Sequence, residues 1–289
     1  MTAPDIQWYP GHIAKAEKQL QDQLQRVDVV LEVRDARIPL ATHHPDVERW
    51  VGDKAKVLVL NRIDMVPDAA LALWTDWFKQ RQERAYGVNA QKGKGVKAIA
   101  QAAQLAGQAM NERRRQRGMR PRPVRAVVIG FPNVGKSALI NRLLRKRVVD
   151  SARRPGVTRQ LRWVRISDEL ELLDAPGVLP SQLTDQDAAT KLAICDDIGE
   201  AAYDNQRVAA AFVERLKEMQ GKAPEFVPPG ILEQRYGLAV DGFTGEGYVI
   251  ALGEHRYQND SERAARQMLR DFRKGRLGNL PLELPVDLP

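Results

Sequence analysis

The sequence predicts an α/β fold: a mostly parallel sheet with helices on both faces, followed by a small α-helical C-terminal domain. Short apolar runs alternate with helix-period stretches as far as Leu173, and from about Gln186 only helical patterns remain. Length agrees, because 289 residues exceed what one ordinary core organises. The expected division is 1–185 for the sheet domain with its N-terminal segment and 186–289 for the helical one.

In order, Ile13 to Gln25 is polar with helical spacing, and Val27 to Val33 (VDVVLEV) suits a buried strand. Lys56 to Leu60 reads as a strand, Ala69 to Arg84 as a helix, Ala85 to Val88 as a strand and Gly95 to Asn111 as an Ala-rich helix. Glu112 to Pro123 (ERRRQRGMRPRP) interrupts the rhythm with arginines and two prolines, the composition of an exposed connector. The pattern resumes with a strand at Val124 to Ile129, a helix from Lys136, and strand-like segments at Leu161 to Ile166 and Leu170 to Leu173. Beyond these, APEFVPPG (223–230) punctuates helical stretches, and Ser261 to Lys274 is a basic amphipathic helix.

Composition narrows the function classes. Hydrophobic residues make up 43% and charged residues 28%, with no run of about 18 apolar residues that could span a bilayer. The start, Met1-Thr2-Ala3-Pro4, lacks the basic stretch and apolar core of a signal peptide. The expectation is a cytoplasmic protein without membrane contact, acting as a monomer. One cysteine, Cys195, excludes an intrachain disulfide and a zinc site of several thiolates; it reads as a small apolar filler. A net charge of +8 and an isoelectric point near 9.6 point to a polyanionic partner. A basic enzyme without such a partner would show the same values.

Three motifs carry chemistry. GFPNVGKS (130–137) matches G-x-x-x-x-G-K-[ST] and stands between a strand and a helix. In that setting the amides of Asn133, Val134, Gly135, Lys136, Ser137 and Ala138 can wrap phosphates, Lys136 can reach the β and γ phosphates, and the Ser137 hydroxyl can bind Mg²⁺. DAPG (174–177) follows a strand and matches D-x-x-G, placing Asp174 near the metal and the Gly177 amide on a γ phosphate. NRID (61–64) ends a strand and resembles the guanine-reading N-K-x-D: Asn61 anchors, Arg62 flanks the base, and Asp64 is a pure acceptor for the guanine N1–H and amine, which adenine cannot satisfy. Arginine where lysine is usual is a departure, since the two cations are not interchangeable. Asn89-Ala90, after the strand AYGV, fits a further base-contacting loop.

Their order is unusual. The guanine motif precedes the phosphate loop, as expected for a circularly permuted P-loop GTPase domain whose old termini are joined through 112–123. The permutation also implies that the chain leaving DAPG runs directly into the helical domain and does not return.

With WYPGHIAKA, DARIP (35–39), NRID, GFPNVGKS, PGVTR and DAPGV in place, essentially the whole chain resembles the circularly permuted ribosome biogenesis GTPases of the RbgA/YlqF type. The resemblance implies GTP and GDP as ligands, Mg²⁺ as cofactor, and the large ribosomal subunit precursor and its rRNA as partners. It also implies particle-stimulated hydrolysis and a switch role for Thr158, which closes on Mg²⁺ and the γ phosphate. After DAPG the residue is Val178, which cannot orient water. His12, beside Trp8 and Tyr9, reads alone as a packing residue, and the resemblance implies instead that it reaches the attacking water. Asn133 is either a turn-favouring loop residue or, as in related potassium-dependent GTPases, a K⁺ ligand.

In the C-terminal region GFTG (242–245) formally matches a nucleic-acid-gripping GXXG loop, but acidic Asp241 and Glu246 flank it and an ordinary turn is the better reading. Arg256, Arg263, Arg266, Arg270, Arg273, Lys274 and Arg276 are the better RNA-facing set, with 263, 266, 270 and 273 at helical spacing. The alternative function is a guanine-nucleotide-regulated RNA-binding chaperone with little intrinsic catalysis.

Overall fold

The structure is a computed structural model that describes residues 23–144, 162–174 and 185–285. The expected helix at Ile13–Gln25 falls almost entirely outside these residues, as do His12, Thr158, Gly177 and Val178. A six-stranded sheet forms from β1 (Val29–Asp35), β2 (Ala55–Asn61), β3 (Ala85–Val88), β4 (Val124–Ile129), β5 (Arg162–Arg165) and β6 (Leu170–Asp174), in the order β3-β2-β1-β4-β6-β5. All neighbouring pairs are parallel except β5 with β6, so β5 is an antiparallel edge. Because the other strands are parallel, the loops after β1, β2, β3 and β4 open on one edge, where ligands of such sheets bind.

Strand β1 lies centrally and is buried along its whole length, beginning two residues later than the apolar run suggests. Besides Asp35 at its end, it carries Glu32 and Arg34, charges that burial would penalise unless they were paired. Arg34 donates to both Glu32 oxygens at 2.8 and 2.9 Å, and His43 Nδ1 lies 2.8 Å from Glu32 Oε1. Burial alone would raise the Glu32 carboxyl, but the His43 hydrogen bond and the Arg34 charge hold it down at about 2.

Among the described residues, four α-helices accompany the sheet: α1 (Val47–Val51), α2 (Asp68–Gln80), α3 (Val96–Gln116) and α4 (Lys136–Leu143). Helix α2 stops at Gln80 rather than Arg84, because Gln82 turns at φ +59° into β3. Helix α3 absorbs Glu112 to Gln116 from the expected connector: arginines 113–115 form its last turn, where cations suit the negative end of the helix dipole. The connector proper is 117–123, pinned by Arg122, which pairs with Asp28 at 2.7 Å and whose amide and carbonyl both meet the Asn111 side chain. A Cβ at Gly107 would lie 2.4 Å from Val124, so only glycine lets α3 approach β4 this closely.

After residue 185 the regular structure is helical: α5 (Gln186–Cys195), α6 (Asn205–Lys222), α7 (Ile231–Tyr236), α8 (Gly245–Arg256) and α9 (Ser261–Arg273). Asp185, Asp204, Thr244 and Asp260 cap α5, α6, α8 and α9, each accepting from an amide three residues on. Thr244 and Gly245 therefore make GFTG a helix start, and a Cβ on Gly245 would lie 2.2 Å from Ala210 O in α6. Phe212 and Phe272 pack at 4.8 Å among Tyr248, Leu252, Met268 and Leu269, all buried.

The chain does return to the sheet, contrary to expectation. Leu282 N donates to Arg37 O at 3.0 Å, the Glu283 carboxylate accepts from Leu40 N at 2.8 Å, and Trp74 Nε1 donates to Glu283 O. The permutation decides where the chain leaves DAPG but not where the last residues pack, and buried amides at 40–41 provide the docking point.

Candidate nucleotide site

The phosphate loop bends around three residues that ordinary side chains could not replace. Gly130 has φ +146° and a Cβ there would lie 2.3 Å from Val33 O; Gly135 has φ +103° and a Cβ would lie 2.1 Å from Asn61 Nδ2. Asn133 stands between them at φ +58°, a conformation asparagine tolerates better than most residues. The loop ends at the start of α4, where the first amides and the positive dipole end favour an anion. Lys136 is buried, with Nζ donating to Gly130 O at 3.1 Å and Phe131 O at 2.8 Å, so its charge is held inside the curve of the loop. Ser137 and Ala138 follow in the first turn, both half-buried. A narrow cradle of amides, one enclosed cation and one hydroxyl fits a polyphosphate with a divalent metal.

The guanine motif is joined to this loop by Asn61. Its amide donates to Val134 O at 2.7 Å and its Oδ1 accepts from Ala90 N at 3.1 Å, so one buried side chain fixes the phosphate loop, the NRID loop and the Asn89-Ala90 loop relative to one another. Asn89 is spent on its own turn: Oδ1 accepts from Lys92 N at 2.8 Å. Asp64 lies in a short 3₁₀ turn directly after Arg62 and is exposed. Asp174 closes β6 with Val128 of β4 opposite it, two residues before the phosphate loop.

Arg62 occupies the left-handed region, φ +62°. Its guanidinium donates to Asn133 O in the phosphate loop, to Asp35 Oδ2 at 2.7 Å and to Cys195 O at 3.3 Å, and lies 3.5 Å from Asp197 Oδ1. Arginine at this position therefore ties the NRID loop to the phosphate loop and to the DARIP aspartate. Asp35 and Arg37 of the DARIP segment complete the cluster: Arg37 Nε and Nη2 reach the two Asp35 oxygens at 3.0 and 2.7 Å. Burial pushes the Asp35 carboxyl up, yet the Arg37 and Arg62 charges bring it to about 2. Asp197, equally buried, is raised to about 8, by burial first and by Asp35 beside it, despite Arg62. Sequence reasoning gave Asp35, Arg37, Asp197 and Glu283 no role; D-x-R at a buried strand end was the available signal.

Arg273 departs from the expected RNA-facing set. It turns inward and donates to Ala193 O, Ile194 O and the Tyr203 hydroxyl. Arg256 and Arg276 are tied to Arg235 O and Asp271. Arg263, Arg266, Arg270 and Lys274 remain exposed along α9 and its end.

The family described as "50S ribosome-binding GTPase" matches residues 125–222, from β4 through α6. A curated relative from Bacillus cereus, "Ribosome biogenesis GTPase A", is 36% identical over 98% of this chain and 95% of its own length. The chain belongs to the ribosome biogenesis GTPase A family. The relative of the same name from Thermotoga maritima is 27% identical over 98% of this chain and 96% of its own. The crystal structure of GNP-bound YlqF from T. maritima has the same fold, with a TM-score of 0.63 at 24% identity, covering 95% of this chain and 100% of that one. This ribosome biogenesis GTPase thus binds guanine nucleotide and hydrolyses GTP to GDP and phosphate, on a circularly permuted G domain followed by helices.

Proposed function

We propose that this GTPase is a molecular switch for late assembly of the large ribosomal subunit in the cytoplasm, docking on precursor particles through rRNA and turning over GTP when bound to them. The observation that carries the reading is the joining of three nucleotide loops by Asn61 beside a helical region with an exposed arginine stripe. The two units divide near residue 185. The amides from Asn133 to Ala138 hold the phosphates; Lys136 balances the charge that grows on the β and γ oxygens; Asp64 reads the base, with Asn61, Arg62, Asn89 and Ala90 shaping its pocket. Ser137, Thr158 and Asp174 would hold Mg²⁺, which would supply positive charge against the phosphates. A K⁺ ion beside the phosphates would be met by Asn133 Oδ1, since Asn133 Nδ2 is engaged on Asp196 O.

Val178 cannot position water, so that role falls to His12, with the Gly177 amide on the γ phosphate. The test is His12→Ala: GTP affinity is retained, whereas particle-stimulated hydrolysis falls by on the order of 10². Weak GTP binding with normal bound turnover would make His12 a packing residue. Absence of any stimulation in the unmodified protein would favour the regulated RNA chaperone.

A further inference from the structure

The last carbonyls of a helix have no intrahelical donor and carry the negative end of its dipole. At the end of α5 these positions are met by arginines from three other parts of the chain. Arg273 of α9 donates to Ala193 O at 2.8 Å and to Ile194 O at 3.0 Å. Arg37 and Arg62 donate to Cys195 O at 3.0 and 3.3 Å. The phosphate loop joins one residue further on, where Asn133 Nδ2 donates to Asp196 O at 2.7 Å. One helical turn is therefore gripped by the guanine-reading loop and the phosphate loop on one side and by α9 on the other.

We propose that Arg62 is a positioning residue that couples guanine-nucleotide occupancy to the arginine-bearing helix α9 through the C-terminal turn of α5. The α9 half rests on the reading of that helix as an RNA face. The residue type fits the task. Arg62 uses one nitrogen for Asp35 and Cys195 O and the other for Asn133 O and Asp197, a planar fork that lysine, with a single nitrogen, cannot reproduce. A base seated against the NRID loop fixes Arg62, Arg62 fixes the carbonyl end of α5, and Arg273 carries that end to α9. This route starts at the base and is independent of the segment after DAPG. Coupling between two ligands is reciprocal, so RNA bound on α9 must alter nucleotide affinity by the same factor.

Hydrogen exchange on the full-length protein, free and at GDP concentrations that saturate each variant, reads the α5 turn directly; the amides of Asp196 and Asp197 report on it through their bonds to Ala193 O and Leu192 O. GDP is expected to slow exchange across 193–198 on the order of tenfold in the unmodified protein. In Arg62→Lys that slowing disappears while the phosphate-loop amides are still slowed. No GDP effect at 193–198 in the unmodified protein, or its persistence in Arg62→Lys, overturns the proposal; the first comparison decides even if the variant does not fold. For the α9 half, affinity for a large-subunit rRNA transcript is measured with and without GDP. The ratio departs from one in the unmodified protein and returns to one in Arg273→Gln. An unmodified protein that binds the transcript equally with and without GDP overturns the α9 half, whereas one that does not bind it at all overturns the reading of α9 as an RNA face.

Discussion

A methyl group on Gly135 would sit 2.1 Å from the side-chain amide of Asn61, the same amide that holds Val134 O. The phosphate loop and the guanine loop are thus packed without spare room, and Gly135 at φ +103° also occupies backbone space that alanine avoids. Gly135→Ala is expected to cost about 1–3 kcal/mol and to weaken GDP and GTP together by displacing Asn61. Titration with a fluorescent guanine nucleotide checks this; affinity equal to that of the unmodified protein would mean the loops adjust independently.

Asp64 is exposed and, as a carboxylate, supplies only acceptors. Replacing it by Asn should narrow the preference for GTP over ATP by on the order of 1–3 kcal/mol. Competition of GTP binding by ATP in both proteins measures the change, and equal GTP and ATP affinities in the unmodified protein would remove Asp64 as the reader.

The arginines of α9 divide into two groups that should respond differently. Neutralising Arg263, Arg266, Arg270 and Lys274 should weaken RNA binding and reduce its salt dependence, leaving Tm near its original value, because each lost phosphate contact releases fewer counterions. Arg273→Ala should lower Tm, since it removes the guanidinium donors to Ala193 O and Ile194 O at the end of α5. A Tm loss from the first set, with an unchanged salt slope, would make the stripe structural.

Asp197 gives the fold a pH dependence. Its folded value of about 8 lies above the ordinary carboxylate value of 3.8, so the native state keeps a proton that the unfolded chain has released. The associated stability is complete below the ordinary value and is lost as pH rises through about 8, with a slope of up to about 1.4 kcal/mol per pH unit. Asp35, lowered to about 2, acts at the other end: its contribution is present above 3.8 and lost on acidification. Denaturant unfolding between about pH 5 and about pH 8 should show falling stability in the unmodified protein and a flatter curve in Asp197→Asn. Parallel curves would remove Asp197 as the titrating group.

The glycine-bearing loop ahead of α4 and the NRID turn were legible in the sequence because their requirements are local. A turn that lets amides face a phosphate needs glycine at fixed spacing, a base-reading acceptor needs a short carboxylate after a strand, and both are written in a few consecutive letters: GFPNVGKS and NRID. The permuted order was equally plain, since it is a property of sequence alone. The strand and helix pattern also carried through, with ends shifted where Gln82 turns the chain or where arginines prolong α3 into the expected connector.

The sequence by itself determined the glycine-bearing loop ahead of α4, the permuted order of the motifs and the helical character of the described regular structure after Gln186. Only the tertiary structure decided what the long cations do. Arg62 was a departure from the usual lysine in sequence and is a bridge in the fold; Arg273 was one of four arginines at helical spacing and is the only one of them turned onto the end of α5. The reason is physical. Their acceptors are backbone carbonyls, which every residue possesses and no side-chain pattern advertises, and a flexible arginine finds them only once packing has brought the end of one helix within reach of another.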